Sequence, residues 1–286
     1  MTLKKTILKT GGKLTKILPK EIDELSYFDV VKAIRKKDVK INGERVGKDV
    51  FAPAGSVVEI YINKKENENS EGFEVLFSDE NLIVADKKSG FSSEWVFEKI
   101  KEKYPDARFV HRLDRNTFGV MVFARGDTAE KELLFGFKNR TFEKTYVAEV
   151  VGVPRKNAEI IEGYLQKDAE NSLVKIYDSK GTGRVKIKTG YEVMSVNGAT
   201  STLKITLYTG KTHQIRAHLS SIGLPILGDG KYGDYSANKS AGAKTQMLLS
   251  AEMVLRFDKA SPLYYLDGKT FRSKSLKIEK GNYLFA

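Results

Sequence analysis

The spacing of apolar residues changes period several times along the chain, and each change marks an element. From Ile22 to Lys37 the spacing is helical, with Phe28, Val31 and Ile34 on one stripe and Lys32, Arg35 and Lys36 beside it. The period then falls to two in Val39-Lys40-Ile41-Asn42-Gly43-Glu44-Arg45-Val46, which predicts two short strands around an Asn-Gly turn. Ala54-Gly55-Ser56 leads into a further strand over Val57 to Ile62. The stretch from Asn63 to Gly72 has no apolar side chain. It predicts a small domain over residues 1–63, a linker over 64–72 and a larger domain over 73–286.

In the larger domain, Phe73 to Phe77 and Leu82 to Asp86 read as strands joined by the turn-rich Ser78-Asp79-Glu80-Asn81. Glu94 to Tyr104 reads as an amphipathic helix ended by Pro105. A strand over Val120 to Ala124, a helix capped by Asp127 over Ala129 to Asn139 and a strand over Thr145 to Val150 follow. Tyr191 to Val196 and Thr202 to Tyr208 flank Asn197-Gly198 and predict a hairpin. Strands and helices do not alternate regularly. The expected class is therefore α+β, a mixed and largely antiparallel sheet with a small N-terminal α/β domain, not a doubly wound sheet.

Composition narrows the function. A formal charge of +12, from 49 Lys and Arg against 37 Asp and Glu, calls for a polyanionic partner such as nucleic acid, or else simply keeps a lysine-rich surface solvated. With no cysteine, disulfides, thiolate metal sites and cysteine nucleophiles are excluded. No apolar run suits a signal peptide or a membrane span, so a soluble cytoplasmic protein is expected.

All three histidines fall in two short polar islands. One is His111-Arg112-Leu113-Asp114-Arg115-Asn116-Thr117-Phe118-Gly119; the other is Tyr208-Thr209-Gly210-Lys211-Thr212-His213-Gln214-Ile215-Arg216-Ala217-His218-Leu219. Each adjoins a predicted strand, which places it at a sheet end where loops build sites. Asp114, set among Arg112, Arg115 and His111, suits a nucleophile or an electrostatic partner better than a general acid. A structural Asp–Arg pair capping the loop explains it equally well on physics alone. The second island predicts a turn at Gly210 and a helix burying Ile215, Leu219 and Ile222, with His213 and Arg216 three apart on a neighbouring face. From there an arginine can reach a carboxylate bidentately.

Together these islands, with Lys144-Thr145-Tyr146-Val147-Ala148-Glu149-Val150 between them and Leu224 to Gly233 after them, resemble the RluA-type pseudouridine synthases. The resemblance runs from about Gly72 to Leu276. It implies Asp114 as the nucleophile, Tyr146 as the tyrosine stacking on the target base, Arg216 as the residue orienting Asp114, and Arg112 as the side chain filling the space left by a flipped uridine. His111 belongs to the same RNA-contacting motif. Phe118, Leu224, Lys87-Lys88-Ser89-Gly90 and Ser250 depart from the family's usual residues, which bears on substrate identity. The N-terminal region, roughly Lys13 to Asn63, resembles the S4 RNA-binding domain. That resemblance implies RNA contacts from Lys32, Arg35, Lys36, Lys37 and Lys40, although each lysine alone also reads as a solvated surface charge.

The reaction so implied breaks a C–N glycosidic bond and rejoins the ribose to C5 of the same base. It has no redox change, so no cofactor and no metal are expected. A carboxylate can attack the sugar or relieve its developing positive charge. A flipped base costs roughly a few kcal/mol, which stacking on Tyr146 offsets in part. The implied partner is structured RNA, ribosomal more than transfer RNA by family analogy, with no membrane and no obligate protein partner. Two rivals are an inactive RNA-binding assembly factor and a sugar-cleaving hydrolase, the latter lacking a second carboxylate. Gly228-Asp229-Gly230-Lys231-Tyr232-Gly233 matches G-x-G-x-x-G but opens no strong predicted helix, so it is not read as a dinucleotide site. His213 and His218 stand five apart, which does not put two ligands on one helical face.

Overall fold

The computed structural model describes residues 2–22, 25, 27–62, 72–168 and 173–286. It divides into two compact units, Met1–Glu71 and Gly72–Ala286. Residues 64–71 of the expected linker lie outside the described residues, as does the side chain of Phe28.

The first unit runs β1 (Thr2–Ile7), β2 (Gly12–Lys13), α1 (Leu14–Glu21), α2 (Tyr27–Arg35), β3 (Val39–Ile41), β4 (Glu44–Val46), β5 (Phe51–Ala52) and β6 (Val57–Ile62). Its four-stranded sheet has the order β1-β6-β3-β4. The helix expected from Ile22 to Lys37 is shorter than its apolar period suggests: α1 ends at Glu21, and a second helix begins only at Tyr27. Val30, Ala33 and Ile34 of α2 join Leu14, Ile17 and Leu18 of α1 in one core. The end of α2 has a physical cause in Lys37, which takes φ 58°. The Lys37 N–H then bonds to the Ile34 carbonyl and the Asp38 N–H to that of Ala33, closing a Schellman turn. Asn42 and Gly43, both at positive φ, make the predicted β3–β4 turn.

The second unit runs β7 (Phe73–Ser78), β8 (Leu82–Lys87), α3 (Ser93–Lys103), β9 (Ala107–Phe109), β10 (Phe118–Arg125), α4 (Gly126–Asn139), β11 (Glu143–Val151), β12 (Ala158–Asp168) and β13 (Leu173–Tyr177). It continues with β14 (Val185–Asn197), β15 (Thr200–Leu207), α5 (Gln214–Ser221), α6 (Tyr235–Ser240), β16 (Leu248–Val254), a 3-10 turn at Tyr264–Leu266, β17 (Thr270–Arg272), β18 (Leu276–Glu279) and β19 (Asn282–Phe285). An 11-stranded sheet takes the order β13-β12-β14-β15-β11-β16-β10-β8-β7, with β17 on β16 and β9 on β10. Among the described strand pairs only β10–β16 is parallel. The class is thus α+β with a mostly antiparallel sheet.

The continuous apolar runs of β8 and β10 follow from burial on both sheet faces. Ile83, Ala85, Met121 and Phe123 point into the core that holds Val96 and Ile100 of α3 and Ile215 and Leu219 of α5. Their neighbours Leu82, Val84, Val120 and Val122 point the other way, against Ala129 and Leu133 of α4. Three local expectations are corrected. Asp127 does not cap α4: Arg125 holds the cap position without a side-chain bond, and Asp127 lies in the first turn, paired with Arg108 at 3.2 Å. Ile222 follows α5 instead of lying on its buried stripe and is 40% exposed. The β14–β15 turn centres one residue later than expected, because Asn197 pairs with Thr200. Among the described residues no helix is long and apolar enough to cross a membrane.

Candidate active site

The Asp114 loop lies between β9 and β10 and is pinned on both sides. Ser93, near the start of α3, donates its hydroxyl to the Leu113 carbonyl at 2.8 Å and accepts the Leu113 N–H at 2.9 Å. On the other side Lys87 Nζ donates to the Arg115, Phe91 and Lys88 carbonyls at 2.9, 2.9 and 3.1 Å. A buried ammonium is costly unless its N–H groups are matched, and three carbonyls match all of them. Burial nevertheless pulls the Lys87 pKa down to about 7, against the opposing charge of Asp114. Beyond the loop Gly119 sits at φ 106°, and an added Cβ would stand 2.2 Å from the Ser250 carbonyl oxygen. Glycine there lets β10 run alongside β16.

The fold brings Asp114 and Arg216 together across 102 residues: Arg216 Nη1 donates to Asp114 Oδ2 at 2.8 Å. The Arg216 side chain is 8% exposed and that of Asp114 20%. Arg216 also grips a carboxylate that the sequence pattern did not single out. Its Nε donates to Asp229 Oδ2 at 2.7 Å and its Nη2 to Asp229 Oδ1 at 2.9 Å. Burial works against the arginine's charge, but the two carboxylates outweigh it and hold the guanidinium firmly protonated. Burial likewise opposes the Asp229 charge, yet Arg216 and the Lys231 and Tyr232 N–H groups bring its pKa below the usual carboxylate range.

His213 opens α5 at φ 55°, a left-handed conformation that is strained for any residue with a side chain. Its Nε2 stands 3.9 Å from Asp114 Oδ2, and its Nδ1 meets the Tyr232 hydroxyl at 2.9 Å. That hydroxyl also accepts the Val174 N–H at 2.8 Å. Burial lowers the His213 pKa, helped by Arg216 and Lys231 and opposed by Asp114 and Asp229.

Tyr146 sits mid-strand in β11, 8% exposed, where the pairing with β16 slips in register. Burial raises its pKa to about 12, so the phenol is neutral near pH 7; a hydrogen bond with Ser250 opposes the shift and the Asp114 charge adds to it. A cleft of about 960 Å³ is lined by Asp114, Tyr146, Arg216 and His213. Arg112, Lys138, Arg140, Lys144, Lys204 and Lys211 line it too, against the further carboxylates Glu143 and Glu252. Such an excess of cations in a concave site raises the local concentration of a polyanion.

The other expected residues are placed as follows. Arg112 lies in the cleft lining with 63% of its side chain exposed, paired with Glu94 at 3.1 Å. His111 is bound into the fold: its Nε2 accepts the Val122 N–H at 2.9 Å and its ring stacks on Phe137 at 4.5 Å between centroids. That edge of the ring serves β10, not a ligand. Lys32 and Arg35, in the last turn of α2, and Lys36 and Lys37 just after it are exposed, while Lys40 in β3 is half-buried.

Sequence reasoning missed Asp229, Tyr232, Lys87 and Ser93. Asp229 and Tyr232 lie in the G-x-G-x-x-G match, where attention to the glycines hid the two functional side chains. After it α6 does open, capped by Asp234, which accepts the Ala237 N–H, but it has only six residues. For Lys87 the available signal was a charged pair, Asp86-Lys87, directly after the apolar run Leu82-Ile83-Val84-Ala85.

Comparison with known proteins gives consistent results. The family model described as RNA pseudouridylate synthase matches residues 59–221. The ribosomal large subunit pseudouridine synthase C of Pasteurella multocida is 31% identical over 232 residues, covering 72% of this chain and 69% of that protein. The dual-specificity RNA pseudouridine synthase RluA of Escherichia coli strain K12 is 36% identical over 191 residues, 63% of this chain and 84% of the relative. Among solved structures, human RNA pseudouridylate synthase domain containing 1 superposes with a TM-score of 0.59 at 23% identity, covering 66% of this chain and 80% of that one.

Proposed function

We propose, from the premise that the chain belongs to the RNA pseudouridylate synthase family, that it isomerises uridines in large-subunit ribosomal RNA with Asp114 as the reacting carboxylate. The observation that carries the reading is the Asp114–Arg216 pair in a cation-lined cleft beside Tyr146. Relatives named for the ribosomal large subunit support the substrate, and a ribosomal substrate implies a cytoplasmic enzyme.

In this reading lysines and arginines around the cleft take the phosphates, and their contacts position the strand without reading sequence. The flipped uracil lies on Tyr146, whose neutral ring is held by the strand, and Arg112 leaves Glu94 to fill the gap in the stack. Asp114 then attacks C1′ or relieves the positive charge developing on the ribose. Either route needs an ionised carboxylate whose orientation is preset, which the Arg216 bond supplies. The uracil, freed from C1′ at N1, rejoins through C5, loses the C5 proton and takes one up at N1, so atoms and electrons balance without a cofactor. The Met1–Glu71 unit, whose exposed Lys32, Arg35, Lys36 and Lys37 cluster at one helix end, is assigned an S4-like role in gripping RNA backbone.

The test is a pseudouridine map of ribosomal and transfer RNA from cells with and without the gene, followed by conversion of the mapped RNA by purified protein in the presence of a chelator. Asp114→Asn keeps the side-chain shape and should yield no product while still binding RNA. An unchanged map, or near-normal turnover by the Asn variant, rejects the reading.

A further inference from the structure

Strand β15 turns successive side chains to opposite faces of the sheet. Leu203, Ile205 and Leu207 enter the core that holds Tyr146. Thr206, between two of them, faces the other way and is exposed. Tyr208, the residue after β15, lies on that outer face as well. A Cβ at Gly190, the β14 residue paired with Thr206, would meet Tyr208 Cε2 at 3.2 Å and Thr206 Cβ at 3.7 Å. A larger residue there would crowd the ring, so glycine lets Tyr208 lie across β14. Tyr208 is 41% exposed, although Thr209 beside it is buried. The cleft that holds Asp114 passes over this end of the sheet: Leu207 lines it from the core side, and Thr206 and Tyr208 line it from the outer side. Cations surround the ring. Lys188 Nζ stands 5.0 Å from its centroid, and Lys204 and Lys211 line the cleft with it. The carboxylate across from them on β12, Glu162, is held by Lys186 at 2.7 Å and reaches Lys188 only at 3.8 Å.

We propose that Tyr208 is a stacking platform for an unpaired base next to the target uridine, and so a residue that selects uridines flanked by single-stranded RNA. The proposal rests on the cleft binding RNA as described above. Charge and continuity identify the occupant. A strand whose uridine reaches Asp114 leaves the cleft as a polyanion, and over the end of β15 it meets Lys204, Lys211 and Lys188. Every base has a π face, so an aromatic ring beside such a path takes one whatever its identity. A base inside a duplex stays stacked on its neighbours, and only an unpaired one can come to the ring. Lys188 covers the ring in the free protein. An exposed contact between a cation and a ring is weaker than a stacked base, so the flexible lysine moves to the adjoining phosphate when the base arrives.

The first measurement needs no turnover. In the full chain labelled with meta-fluorotyrosine, the Tyr208 fluorine resonance is identified by its absence in Tyr208→Phe. Single-stranded RNA of about ten adenosines, a usual span for a single-strand site, should shift that resonance through the ring current of the stacked base. The same oligomer without its bases should leave it in place. No shift, or an equal shift from the abasic oligomer, overturns the proposal whatever the activity. The second measurement uses the RNA that the wild type converts. Tyr208→Ala should raise the half-saturating RNA concentration about tenfold, the loss of one base–aromatic stack, whereas Tyr208→Phe keeps the ring and should retain the wild-type value. An abasic nucleotide is then placed in turn at each position flanking the uridine. At one position it should weaken the wild type by a similar factor and cost Tyr208→Ala little further. A wild-type value in Tyr208→Ala, a Phe variant as poor as the Ala variant, or equal abasic losses in both proteins overturns the stacking role; a ring that only packs on Gly190 would give those equal losses. Should Tyr208→Ala fail to fold, Tyr208→Leu covers Gly190 without a π face and takes its place in both comparisons. Absence of product from the wild-type protein would reject the reaction instead, with the fluorine measurement still deciding the role of Tyr208.

Discussion

Acidification to pH 5 should destabilise the larger unit far more than surface titration would. His111 Nε2 accepts the Val122 N–H, so it carries no proton of its own. His218 is locked the same way. Thr189 Oγ1 accepts the Gln214 Nε2 donor at 3.0 Å, so its own proton goes to His218 Nδ1, also at 3.0 Å. Burial brings the His111 pKa down to about 3 and that of His218 to about 4, from 6.5 for a free imidazole. Folded values below the unfolded one mean that the native state binds fewer protons in this window. The stability from these rings is therefore complete above about pH 6.5 and is lost as the pH falls below it. Between pH 7.5 and 5.0 the loss integrates to about 2 kcal/mol for each of the two rings. His213, also lowered, acts in the same direction. Asp86, whose burial raises its pKa despite bonds from Lys274 N–H and Ser273, opposes the trend near its own titration. The chain's single tryptophan, Trp95, lies in α3 and reports on this unit. Urea unfolding followed by its fluorescence should show a loss of about 4 kcal/mol between the two pH values. His218→Asn, which cannot titrate, should remove about half of that difference. Equal stability at both pH values, or an unaltered pH difference in the variant, would refute the account of these rings as neutral acceptors.

Two further outcomes test the site and the first unit. Arg216→Lys exchanges a fork holding two carboxylates for a point charge, losing at least one charge-assisted bond of about 1.5–3 kcal/mol; single-turnover conversion should fall at least about tenfold, and a wild-type rate would disprove the Asp–Arg pairing as a catalytic feature. Reversing the charges of Lys32, Arg35 and Lys36 together should weaken RNA binding and reduce the log–log salt slope by about 0.7–0.9 for each phosphate no longer neutralised; an unchanged slope would mean that these residues serve only the helix end, where cations also favour the dipole.

The two polar islands were legible as chemistry because Asp114, His213 and Arg216 are reactive or charged residues beside apolar strands. The β3–β4 turn was legible because an Asn-Gly pair suits its positive-φ geometry. By contrast, the period over residues 22–37 began the helix too early: α1 ends at Glu21 and α2 starts at Tyr27, so the first part of the stretch joins two helices. Apolar spacing records which side of a segment faces a core, and both helices face the same one. Asp127 failed as a cap because α4 already begins at Gly126, with Arg125 in the cap position, which leaves Asp127 in the first turn.

From sequence alone came the class of the fold, carried by apolar periodicity, and the family resemblance, carried by the short motifs, which in turn singled out Asp114, Tyr146 and Arg216. Only the tertiary structure decided what those residues touch. Asp229 and Tyr232, read as the inside of a glycine motif, became partners of Arg216 and His213. Lys87, noted in the sequence only as part of a departure from the family's usual residues, proved to be a buried clamp on the Asp114 loop. His111, expected to contact RNA, lines the cleft while its Nε2 accepts a bond from its own sheet. The physical reason is common to all of them: a buried polar group must find its partner wherever the packed chain places one, and in this protein that can be 102 residues away, as for Asp114 and Arg216, or 187, as for Asp86 and Ser273.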